Sequence, residues 1–480
     1  MDNANPMLEE LETAYRPFAD RFLTIVPQLS SRVDVSRQPS IQFGADGLPK
    51  QGATFNHLAA VVQLACDQYG TDATLFASAR SLWDQLLQRL PIYPFQDTAV
   101  GDNNSFDGLV QLGGGLRMLV GALARPIYDA MASHGSIHVS TESALHSFRR
   151  YAETWLSTEL TWRVIVPLNL FSAERDYELG PSLTIGPLRP EEKNDLLERY
   201  WAPYRPFPLI DPAVLSTMHG KFRWSRTTAL GHVTREQLRW QVQEEWRATC
   251  RNALIALRLS HGGMVGFDRA YYICRGPAII SEVADVWRDD SFASTNYGTM
   301  YTLADDDVER TRTQLTLLQK HKSSKALALA CDRFLQSYTQ LQPENRLIDL
   351  VVALESLLTD KDDLSYKFRL RGTALLRHKR SAQGTYDLLN KMYSARSLTV
   401  HDGLSWQELT KKDKQAVQLN ECEDVCRDAI REVFEQYDAL MSKTKDSKGK
   451  EKVRLTQSLD RIILDLINTE FGAKTGAKTT

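Results

Sequence analysis

Cysteine is scarce in this 480-residue chain: six residues, at 66, 250, 274, 331, 422 and 426, with no CxxC pair and no framework spacing. That excludes a disulfide-stapled secreted scaffold and suits reduced thiols in a cytosol. Uninterrupted apolar runs are short, and none reaches the length of a membrane-spanning helix. The opening MDNANPMLEELE is acidic and polar and lacks the apolar centre of a signal peptide, so a cytoplasmic protein with no membrane partner is expected. Excess charge of one sign is also missing. A net charge of −2 excludes a globally basic nucleic-acid binder, so affinity for a phosphate backbone has to come from a local patch. Familiar catalytic signatures are absent too. Gly113–Gly115 lacks the Lys-Ser/Thr of a phosphate loop, and there is no nucleophile elbow, zinc-protease motif or internal repeat.

What is present reads as an ordinary folded protein. Apolar residues make up 42% and charged residues 25%, which argues against wholesale disorder, and the length calls for two or three domains. Helical spacing appears at Leu8–Leu23, Phe55–Tyr69, Leu75–Leu90 and Thr141–Leu160, with a polar, turn-rich stretch over Ser30–Lys50 and an exposed loop over Pro91–Asp107. The texture then turns β-rich: Trp162–Phe171, Tyr177–Leu188, Phe222–Val233 and Val265–Ile279 read as strands. They are interrupted by a helix opening at Pro190 and by a long helix over Thr234–Leu259, where Thr234 and Gln237 suggest a capping box. From Asp305 onward the chain is helical: Val308–Lys320, Ser323–Leu341, Pro343–Thr359, Leu364–Lys379, Gly384–His401 and Asn420–Met441. After a lysine-rich linker comes an amphipathic helix over Leu455–Phe471, whose apolar face needs its own bundle or a second subunit. The expectation is an α+β protein: a helical region over 1–140, a mixed α/β regulatory or sensor domain over 141–304, a helical bundle over 305–445, and a linker with a C-terminal helix over 446–480.

One residue is out of place. Arg396 falls on the stripe formed by Leu389, Met392, Tyr393 and Val400, although a guanidinium is permanently charged and costly to bury unpaired. Something anionic should face it, a carboxylate of the fold or a phosphate from outside. Glu355, at the edge of the apolar stripe of its own helix, could pair with Arg396 and fix its orientation, as a site residue or as a purely structural partner. His401 sits near the helix end, before Gly403, and can trade protons near neutrality; an arginine and a histidine form a plausible kit for cleaving RNA. Five residues apart, the two converge only if the helix ends near His401 or a second copy contributes. Just upstream, Lys367, Arg369, Arg371, Arg377, His378, Lys379 and Arg380 occur in a stretch without acids, a solvated helix face or an RNA-binding surface. Weaker candidates read as structural: Cys422 and Cys426 as core, His134 and His138 as loop residues, and the Tyr200–Phe207 aromatics as a packed loop.

The runs NRLIDLVVALE (345–355), LRGTALL (370–376) and YSARSLTVHDG (393–403) resemble the ApeA-like HEPN domain, a helical bundle with an Arg-x(4–6)-His motif, here Arg396 and His401. The resemblance spans about residues 160–440. It implies a metal-independent endoribonuclease without cofactor, a homodimer whose two motifs share a cleft. Its substrate would be single-stranded or transfer RNA, in a toxin or effector of bacterial antiviral defence (abortive infection) that halts growth by degrading cellular RNA, with a phage-derived trigger or regulatory partner as an expected partner. By resemblance, Arg396 would stabilise the charged phosphorane and His401 would handle protons. One position departs: Ser397 stands where Asn, Asp or His often follows the arginine. The alternatives are a catalytically silent HEPN module for dimerisation or RNA capture in a defence complex, and a small-ligand sensor with the strand-rich middle as its pocket.

Overall fold

The computed structural model describes residues 6–31, 37–43, 49–55, 57–68, 70–89, a few positions between 107 and 127, 138–155, 159–190, 192–193, 218–229, 235–275, 284–288, 299–360, 363–411, 417–442 and 451–475. Two hydrophobic clusters organise them. In the first, α1 (Pro6–Ile25) buries Leu8, Leu11, Tyr15, Phe18 and Phe22, the three-and-four spacing of one helix face. Helices α2 (His57–Asp67), α3 (Ala73–Arg89) and α4 (Thr141–Trp155) join this core together with Leu116, Leu119, Val120 and Leu123, and Tyr15 stacks on Phe148 at 3.8 Å between ring centroids. The stretch expected to be turn-rich, Ser30–Lys50, holds β1 (Arg37–Phe43) and the first residues of β2 (Pro49–Phe55), which pair antiparallel. Composition missed them because pairing, not side-chain polarity, makes these strands.

The second cluster runs from Trp162 to Ile462 and joins a sheet to a set of helices. Strand β3 (Glu159–Leu168) pairs antiparallel with β7 (Gly220–Ala229) on one side and β8 (Arg269–Arg275) on the other. With β5 (Tyr177–Gly180), β6 (Leu183–Gly186) and β9 (Ala284–Arg288) the order is β5-β6-β7-β3-β8-β9, antiparallel throughout. Trp162, Val164, Val166 and Leu168 alternate into the core, the period-two signature of a strand with one face covered. Helix α5 (Arg235–Ser260) belongs to the same core, burying Val242, Trp246, Cys250, Ala253 and Leu257. A short parallel pair, β4 (Phe171–Ala173) with β10 (Tyr301–Leu303), leads into the helices.

These are α6 (Asp305–Lys320), α7 (Lys325–Ser337), α8 (Pro343–Leu358), α9 (Leu364–Leu376), α10 (Ala382–Asp402), the short α11 (Trp406–Lys411), α12 (Leu419–Ser442) and α13 (Glu451–Thr475). Ser324 caps α7 by accepting from Leu327 N, and Pro343 opens α8 where a missing N–H costs nothing. The expected stripe of α8 is buried in full: Leu347, Leu350, Val351, Leu354 and Leu358. The partner of α13 is the chain's own fold: Leu455, Leu459 and Ile462 enter the second cluster, while Leu464, Leu466 and Ile467 further along are exposed.

The sheet and the helices are tied by buried charge. Arg258, at the end of α5, is fully buried; its guanidinium donates to Val265 O and Leu335 O and lies 3.9 Å from the centre of the Tyr338 ring. Burial pulls it down to about 10, which leaves it protonated at neutral pH. Arg427 Nε of α12 donates to Arg258 O, and Glu423 accepts from Arg427, Arg346 and the Tyr338 hydroxyl. Among the described residues, no helix is long and apolar enough to cross a membrane.

Candidate functional site

Helices α8 and α10 bring the first pair of expected site residues together. Arg396 Nη2 lies 4.0 Å from Glu355 Oε2, with side chains 24% and 18% exposed. This is an ion pair in reach but longer than a hydrogen bond. Arg396 Nε is buried and finds no acceptor. Among the described residues the guanidinium is therefore partly desolvated, held loosely by one carboxylate, with donors still to offer an anion. His401 lies on the last turn of α10 and is exposed. Gly403 ends the helix in the left-handed conformation (φ 67°), and its N–H caps Leu398 O. Five residues of ideal helix turn His401 about 140° from Arg396. Within one chain the two side chains leave opposite flanks of α10. Val400, expected on the apolar stripe, is 48% exposed, because the stripe loses its covering neighbours at the helix end.

The cation-rich stretch is largely answered by the fold's own acids. Arg371, expected to bind RNA, is buried at 1% side-chain exposure: it donates to both oxygens of Asp460 at 2.7 Å, to Asp360 and to Leu358 O. It clamps α13 onto α9 and cannot meet a nucleic acid in this conformation. Burial would raise the Asp360 carboxyl, but Lys367 and Arg371 beside it hold it below its ordinary value. Lys379 meets Glu432 and Glu435, and Arg380 meets Asp428. Arg377 donates to Ala374 O. Arg369 donates to Asn390 Oδ1 at 2.6 Å and lies over the Tyr386 ring. The turn bearing Arg377, Lys379 and Arg380 precedes α10, whereas Arg396 lies near its far end, about 20 Å along the axis. Lys367 and Arg369 are thus the cations of this stretch that share a level with the Arg396 end of the bundle.

The weaker candidates fall into place where they are described. Cys422 and Cys426 are buried, and burial pushes both thiols up, Cys422 to about 12; neither is a ready nucleophile or ligand. His138 is exposed. His134, Gly113–Gly115, the Tyr200–Phe207 aromatics and the Thr234 cap lie outside the described residues. Among the described residues, no group of three or more His, Cys, Asp and Glu side chains is placed to hold a metal. A groove of about 530 Å³ between α5 and α7, lined by Glu244, Arg247, Arg251, Asp332, Gln336 and Thr339, carries balanced charge, and Arg251 is paired with Asp332. No sequence pattern pointed to it, since its two walls come from segments about 80 residues apart.

The fold is that of a helix-rich α+β protein. The chain matches no protein-family model, no curated protein and no solved structure.

Proposed function

We propose that the chain is a metal-independent endoribonuclease of the HEPN type, cleaving cellular RNA as a toxin or effector in antiviral abortive infection. The observation that carries this reading is Arg396: a permanently charged, partly buried guanidinium that, among the described residues, has one carboxylate at 4.0 Å and a buried Nε without acceptor. In the proposed reaction the 2′-hydroxyl of the RNA attacks the adjacent phosphorus and the 5′-oxygen of the next nucleotide leaves. The products are a 2′,3′-cyclic phosphate and a 5′-hydroxyl. Arg396 donates to the phosphorane oxygens, His401 moves a proton, and Glu355 restrains the guanidinium. The offset of His401 from Arg396 supports a homodimer in which a second copy supplies the other half of each site.

One observation favours the silent alternative, a module that captures RNA or dimerises without cutting. Arg371, Lys379 and Arg380 are spent on the fold's own acids, which leaves fewer cations for a phosphate backbone. Purified protein incubated with single-stranded and transfer RNA in EDTA separates the readings. Cleavage with cyclic-phosphate ends, lost at least about 100-fold in Arg396→Ala and His401→Ala with the fold intact, supports the nuclease. Binding without cleavage in all three supports capture.

A further inference from the structure

The outer surface between α9 and α10 carries an aromatic side chain that no step of the cleavage chemistry uses. Tyr366 is 57% exposed, on the first turn of α9. A solitary exposed tyrosine would need no explanation. This one has a defined setting. Tyr366 and Arg369 are three residues apart and so neighbours on the surface of α9, and Arg369 points across to α10, donating to Asn390 and lying 5.4 Å from the centre of the Tyr386 ring. On α10, Tyr386, Asn390, Ser394, Ser397 and His401 follow one another at spacings of three or four and form a single row. That row passes from the half-buried Tyr386 and Asn390 to the exposed His401.

The two helices are antiparallel in a register that their contacts define. Arg369 meets Asn390, the Phe368 ring lies 5.5 Å from the Tyr393 ring, and a Cβ on Gly372 would collide with Leu389. Continuing that register places Tyr366 opposite residues 393–395, about 10 Å along the axis from His401. On the outer flank of α9 the exposed Tyr366 ring thus neighbours the Arg369 guanidinium, which reaches across to lie over the Tyr386 ring of α10. The proton-transferring imidazole stands at the end of the α10 row.

We infer that single-stranded RNA lies across this surface of α9 and α10 with a base stacked on Tyr366, which selects unpaired over duplex RNA and positions the strand toward His401. The inference rests on the ribonuclease reading and adds to it the residue that recognises the substrate. Aromatic faces and planar guanidinium groups stack unpaired bases without regard to sequence, whereas a duplex keeps its bases stacked on each other and offers only its backbone. Tyr366 is a positioning residue: it touches the base and leaves the bond changes to other groups.

The test measures binding apart from cleavage, using a labelled 2′-O-methyl oligoadenylate, which has no free 2′-hydroxyl to attack. Wild type, Tyr366→Ala, Tyr366→Phe and Arg396→Ala are compared on this strand and on a 2′-O-methyl duplex. Tyr366→Ala should weaken single-strand binding about tenfold or more while Tyr366→Phe stays within about threefold, and neither should change duplex binding. On cleavable RNA, Tyr366→Ala should raise KM far more than it lowers kcat. If Arg396→Ala weakens single-strand binding but Tyr366→Ala does not, the stacking inference is overturned and the site reading stands. If wild type binds neither probe, or neither variant changes binding, the site reading fails and the inference falls with it.

Discussion

Replacing Glu423 by alanine tests how the sheet is fastened to the helices. Glu423 is 8% exposed and accepts from Arg346, Arg427 and the Tyr338 hydroxyl. Its loss strands two guanidinium groups whose side chains are 14% and 7% exposed. Breaking a buried pair from one side costs about 3–5 kcal/mol, because the remaining charge is uncompensated. Arg427 keeps Asp424, but that carboxylate is 52% exposed and a weak substitute, and it keeps the Arg258 carbonyl. Among the described residues Arg346 keeps a long contact to the Met264 sulfur and a place 5.9 Å from the centre of the Tyr338 ring, neither of which replaces a carboxylate. The expected cost is therefore near the lower end, about 3 kcal/mol, read by urea denaturation with an unchanged m-value. For a cooperative unit of the size of the second cluster this is a drop of about 5 °C in Tm. Glu423→Gln, which keeps the shape and one acceptor, should cost about half as much. Arg346→Met placed on Glu423→Ala should recover part of the loss, since it removes one of the stranded charges. A cost below about 1 kcal/mol for Glu423→Ala would show that these guanidinium groups reach water at no penalty. The interior network would then not hold the two layers together.

Two further expectations concern stability. A Cβ on Gly220 would lie 2.1 Å from Phe171 Cδ1, a fully buried ring; Gly220→Ala should cost about 1–3 kcal/mol by denaturation, and Phe171→Leu in the same chain should restore part of it. His321 is buried at the end of α6 against Tyr437, and burial lowers its pKa; Lys320 lowers it further, while Asp438 opposes both. Its folded pKa lies below its unfolded value of about 6.5, so the unfolded chain takes up the proton first and stability falls as pH drops below that value. His321→Gln should flatten the Tm profile below about pH 6.5, and an unchanged profile would refute this assignment.

Helices were legible because their buried faces recur at three and four residues. The α8 stripe and the α5 row of Val242, Trp246, Ala253 and Leu257 are buried as their spacing implies. Strand β3 was legible from its β-rich composition, and its buried residues alternate. Boundaries were not: the helix expected over 141–160 ends at Trp155, since Glu159 and Leu160 already pair with Ala229 and Thr228. A helical period that runs on in the sequence yields where the backbone finds a strand partner. The candidate site was half legible. The anomaly of Arg396 and the edge position of Glu355 could be read from spacing, and the structure holds them 4.0 Å apart.

Which cations are available was decided by tertiary structure alone. Arg371 looks like its neighbours in sequence, yet Asp460, from a helix at the other end of the bundle sequence, buries it in a clamp. The same holds for Lys379 and Arg380, whose acids arrive on α12. Residue order determined the identity and charge of these side chains, the periods of the helices and strands, and the residue that does not fit its stripe. Long-range packing decided which charges neutralise each other and which side of α10 each site residue faces. The physical reason is range: periodicity is written into neighbouring residues, whereas an ion pair between distant segments exists only after the chain has closed the loop between them.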